Sequence, residues 1–93
     1  MKTIHKYSVE VADEVVVQMP MNARVMCLRA VGSGWIDIYA MVLDTSPLVE
    51  RQFAIRGTGH PLNPDTLNYA SLDMENYVGT VFGDPFVWHV FAR

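Results

Sequence analysis

Glycine and proline punctuate this chain so regularly that the runs between them are short, and none carries a convincing helical period. The breaks fall at Pro20, Gly32-Ser33-Gly34, Pro47, Gly57 to Pro61 and Gly83-Asp84-Pro85. Between them the dominant period is two. Tyr7, Val9 and Val11 alternate with Ser8 and Glu10, and Phe53 and Ile55 alternate with Gln52, Ala54 and Arg56. Val15-Val16-Val17 is β-branched throughout, which stiffens the side chains and favours a strand. The residues therefore predict strands over 4–11, 15–17, 23–31, 35–43, 50–56, 77–82 and 86–91.

The turns carry their own signals. Gly32-Ser33-Gly34 between apolar runs predicts a hairpin. The first two strands are expected to pair as another hairpin around Asp13-Glu14. Gly79 is expected to mark a bulge or a close approach. The run 23–31 is fairly apolar on both faces and reads as a central strand or one covered by a second sheet, with Cys27 packed as a small residue. Asp37 is read as lying at a water-exposed strand end. Asp65-Thr66 predicts a short helical turn, and 67–72 is ambiguous between strand and loop. Many short strands need two packed layers. The fold class expected is all-β: a compact antiparallel sandwich or a partly closed barrel of about seven or eight short strands.

Composition narrows the setting. With 93 residues, 51% of them hydrophobic, the chain makes one β-rich domain over 1–93 with a modest core. Several strands look apolar on both faces, so a homo-oligomer is expected. The net charge is −3, and the seven Lys and Arg are spread along the sequence, so nucleic acid is not an expected partner. No apolar run approaches the length of a membrane-spanning helix, and the N-terminus lacks the apolar core of a signal peptide. The lone Cys27 cannot form an internal disulfide, which is consistent with a reducing compartment.

Chemistry concentrates at Arg56-Gly57-Thr58-Gly59-His60. Backbone amides between the glycines can face an anion, and Arg56 adds positive charge beside them. The segment has no Walker lysine and opens no evident helix, so a P-loop is not expected. Thr58 and His60 suggest an activated hydroxyl only if a third group, such as Asp37, Asp65 or Asp84, orients the base. His5, His60 and His89 are spaced like no compact metal motif, so neither a metal nor a cofactor is expected. His89 reads as a packed residue with a hydrogen-bond partner. Trp35, beside the glycine hairpin, and Tyr39 are the candidate anchors for a protein partner. Single-stranded nucleic acid can stack on such aromatics, but the acidic balance argues against it.

Larger blocks of sequence point to relatives. The opening Met1-Lys2-Thr3-Ile4-His5-Lys6-Tyr7-Ser8-Val9-Glu10, then Gln18-Met19-Pro20, Phe53 to Pro61, Tyr77-Val78-Gly79-Thr80 and Trp88-His89-Val90-Phe91 carry the likeness. The chain resembles a family of small, largely uncharacterised proteins from tailed phages and prophages. That resemblance covers nearly the whole chain. It implies phage ancestry and a host-cytoplasmic setting, and it carries no catalytic residue onto this sequence. The expected function is a non-enzymatic phage accessory protein that binds a host or phage protein. The alternative is a small anionic-ligand binder or hydrolase at the Gly57–Pro61 loop.

Overall fold

Among the described residues, period-two sequence becomes seven strands. They are β1 (Lys2–Glu10), β2 (Glu14–Pro20), β3 (Arg24–Val31), β4 (Trp35–Leu43), β5 (Leu48–Gly57), β6 (Tyr77–Gly83) and β7 (Phe86–Ala92). The computed structural model describes residues 1–62 and 71–93. The helical turn expected at Asp65-Thr66 and most of the ambiguous run from Leu67 lie outside the described residues. Among the described residues there is no helix.

Two antiparallel sheets form the domain, one in the order β1-β4-β3 and one in the order β2-β5-β7-β6. They pack face to face without closing into a barrel, so the sandwich is the architecture adopted. The core lies between them. Ile36, Ile38, Ala40 and Val42 point inward from β4, meeting Met19, Phe53, Ile55, Val81 and Val90 of the second sheet.

Some sequence expectations are corrected. β1 and β2 do not pair with each other. All nine residues of β1 find partners on β4, and all seven of β2 find partners on β5, so the Val11–Asp13 connection crosses between sheets. β3 is an edge strand of its sheet and none of its residues is fully buried. A register shift between Val25 and Cys27 turns both Met26 and Cys27 outward, which breaks the alternation that the sequence suggested. Cys27 is consequently an exposed free thiol. Ellman's reagent should titrate one thiol per chain in native buffer; a thiol that reacts only in denaturant would contradict this edge geometry.

Asp37 is also corrected. It sits in mid-strand, only 6% exposed, and the Ser8 hydroxyl donates to its Oδ1 at 2.5 Å. A carboxylate so enclosed needs that donor. Elsewhere the signals hold. Gly32 adopts φ 60° in the three-residue loop between β3 and β4. Gly79 stands at a register shift, and a Cβ there would lie 3.1 Å from Leu28 Cδ1, on the strand that faces β6 across the sheets. The apolar outer face of β7 is met within the chain, because Phe91 packs with Ala54 and Leu72.

Candidate functional site

The glycine-rich loop begins where β5 ends. His60 N–H donates to the Gly57 carbonyl at 3.0 Å, closing a turn whose third residue, Gly59, has φ 89°. That left-handed position suits glycine, as does the third residue of a type II turn. Gly57 has a different reason to be glycine. The His60 ring folds back over it, and an added Cβ would meet His60 Cε1 at 2.9 Å. Gly57 N–H donates to His60 Nδ1 at 3.2 Å, which fixes that nitrogen as an acceptor. The loop is thus folded upon itself, with Thr58 at its tip.

Thr58 does not engage His60. Its Oγ1 lies 2.8 Å from Nε2 of His89, on β7. The other nitrogen of that ring, Nδ1, lies 2.9 Å from Thr80 Oγ1, and Thr80 in turn lies 2.6 Å from the Tyr77 hydroxyl. A continuous chain therefore runs Tyr77–Thr80–His89–Thr58. Hydroxyls both donate and accept, so the chain accommodates both neutral tautomers of His89, and each tautomer sets one direction through the ring.

These groups line one wall of a cavity of about 750 Å³, and Leu62, Leu72, Met74 and Phe91 contribute an apolar surface to it. Leu72 N–H donates to the Leu62 carbonyl at 3.0 Å, so both ends of the intervening segment meet at the rim. The lining gathers Gly57, Thr58, Gly59 and His60 as the sequence suggested. It also includes Tyr77, Thr80 and His89, which were not grouped with them.

Arg56 behaves differently from its neighbours in sequence. It is 5% exposed and is not among the described lining residues of the cavity. Its Nη1 donates to the Asp13 carbonyl at 2.6 Å and its Nη2 to Glu14 Oε2 at 3.1 Å. Arg93 reaches the same carboxylate, with Nε 2.8 Å from Oε1. Burial would raise the pKa of Glu14, but hydrogen bonds from Arg93 and Arg56, with their charges, outweigh it and hold the carboxyl below its ordinary value. Trp35 and Tyr39 are distant in another sense. They stand on β4, in the other sheet, on its outer face.

Counting outward from the Gly83-Asp84-Pro85 turn places Thr80 opposite His89, as the ladder confirms. That register was readable from the sequence. The meeting of Thr58 with His89 was not, because it depends on β5 and β7 being neighbours.

A family model for a domain of unknown function, DUF7352, matches residues 1–93. The chain belongs to the DUF7352 family. The match spans both sheets and every described residue of the cavity. Neither a curated protein nor a solved structure matches the chain.

Chemically, the DUF7352 cavity offers the hydrogen-bonding groups of Thr58, Thr80, His89 and Tyr77 and one carboxylate, Asp73, which accepts from the Glu75 N–H at 2.9 Å. The two nitrogens of His89 are occupied by threonine hydroxyls, and neither has a carboxylate partner among the described residues. The orienting acid that activates a hydroxyl–imidazole pair in hydrolases is therefore not part of this chain of contacts. Asp37, the first acid considered for that part, lies in the other sheet against Ser8.

Proposed function

We propose that this is a non-enzymatic binding domain that takes a small ligand, with an apolar body and one or two hydrogen-bonding groups, in the cavity beneath the Gly57–Pro61 loop. One observation carries the reading: His89 is held at both ring nitrogens by Thr58 and Thr80, in the wall of a largely apolar cavity. Ligand sites commonly combine such an apolar surface with a few fixed polar groups. Arg56 is turned to Glu14, which favours an uncharged ligand over the anionic one suggested by the sequence. The resemblance to small phage proteins supports an accessory role in a host cytoplasm.

Phenol and indole are suitable probes, since each joins an apolar ring to one donor. Titration at millimolar concentration should shift the backbone amide resonances of Thr58, Thr80 and His89 together, and His89→Ala should remove the response while preserving the β-sheet spectrum. Shifts scattered over the surface, or unchanged in the variant, would reject the cavity as a binding site. Native mass spectrometry of the freshly purified protein provides a second reading, through any retained small molecule.

A further inference from the structure

The fold gathers basic residues that the sequence disperses. On the outer face of the three-stranded sheet, the register aligns Lys2 with Leu43, Ile4 with Met41 and Arg24, Lys6 with Tyr39 and Cys27, Ser8 with Asp37 and Arg29, and Glu10 with Trp35 and Val31. Lys2, Lys6, Arg24 and Arg29 are all exposed. The other three cations, Arg51, Arg56 and Arg93, bond to the Ala23 carbonyl and to Glu14, away from this face. Glu10 and Asp37 are the acids on these rungs, which leaves the face positive although the chain carries −3. Asp44 follows Leu43 at the end of the sheet, where it pairs with the Met1 ammonium at 2.7 Å.

The arrangement has a pattern. The cations alternate between the two outer strands, rung by rung, about 7 Å apart along the sheet. Between them the central strand presents Met41, Tyr39, the enclosed Asp37 and Trp35, and Trp35 is 47% exposed. A stripe that carries two aromatic side chains among four cations, with Lys6 and Cys27 beside Tyr39 and Glu10 and Val31 beside Trp35, is complementary to a polyanion that carries flat, apolar bases between its charges. We propose that this face binds single-stranded nucleic acid, with bases stacked on Trp35 and Tyr39 and phosphates set against Lys2, Lys6, Arg24 and Arg29. An acidic protein segment would satisfy the cations but would leave the aromatic stripe without its stacking partners. A duplex keeps its bases stacked upon one another and cannot give them to Trp35 and Tyr39. The site is independent of the cavity, which lies on the outer side of the other sheet.

Fluorescence anisotropy with labelled dT20 and U20 tests this in low salt, with polyglutamate and a 20-base-pair duplex as competitors. Binding should be displaced by unlabelled single strands far better than by polyglutamate or duplex. Its logarithm should fall with the logarithm of salt with a slope of about −3, for four phosphate contacts. Trp35→Ala combined with Tyr39→Ala should weaken it at least tenfold. Lys6→Gln with Arg29→Gln should reduce both the affinity and the salt slope, and these exposed positions allow the fold to be checked by circular dichroism. Absence of binding to either strand by the folded protein would overturn the proposal. So would equal displacement by polyglutamate with no effect of the aromatic substitutions, which would identify an acidic-protein surface instead.

Discussion

Phe53→Ala should lower the free energy of unfolding by roughly 4 kcal/mol, the cost typical of emptying a large aromatic site in a core. Phe53 is fully buried in the second strand of its sheet, opposite Val15 on one side and Ala92 on the other. Its ring belongs to the cluster that includes Met19, Ile36, Ile38 and Val90, so truncation removes contacts from both layers at once. A domain of this size loses about 4–8 °C of melting temperature per kcal/mol, which predicts a fall of about 16–32 °C. If that leaves too little folded protein, Phe53→Leu should show a smaller loss with the same direction. A change below about 1.5 kcal/mol for the alanine variant would mean that the two sheets do not meet at this ring.

Glu14→Ala should cost about 1–3 kcal/mol, because the carboxylate is itself 32% exposed and Arg56 keeps its bond to the Asp13 carbonyl. The substitution takes away the carboxylate shared by Arg56 and Arg93, which are 5% and 9% exposed. Glu14→Gln separates charge from shape and gives a pH signature. The folded-state pKa of Glu14 is depressed, so its contribution is fully present above the unfolded value of about 4.5. That contribution is lost as pH falls through the folded-state value. Urea melts should therefore show a wide gap between wild type and Glu14→Gln at pH 7, and a narrower one at pH 3. A gap that stays constant would remove the ion pair from the list of stabilising features.

Much of the architecture was legible because strand alternation and turn chemistry are local. Trp35–Leu43 was read with its full bounds, and the glycine signals at Gly32 and Gly79 had the physical meaning given to them. What failed were three inferences that depended on a partner strand or on an unbroken register. The β1–β2 hairpin was inferred from adjacency, yet a chain that passes from one layer to the next leaves both strands free to pair elsewhere. Cys27 was read as a packed small residue in a strand apolar on both faces, and the register shift at Met26 on an edge strand exposes it. Asp37 was read as lying at a water-exposed strand end; it is enclosed, and its donor, Ser8, comes from another strand. The loop at Gly57–His60 was recognised as an organising turn. The imidazole that meets Thr58, however, is His89, thirty-one residues away, and only sheet order brings the two together.

The ladder topology has a consequence for how fast the molecule assembles. Among the described residues, three of the five ladders, β1 with β4, β2 with β5 and β5 with β7, join strands that are not consecutive in sequence. Closing such separations costs chain entropy before any burial compensates, and sandwiches built this way fold over milliseconds to seconds. The β3–β4 and β6–β7 hairpins can form early, but each then waits with open edges for a strand from far along the chain. During that interval the same edges are available to neighbouring molecules, so refolding yield depends on how dilute the chains are.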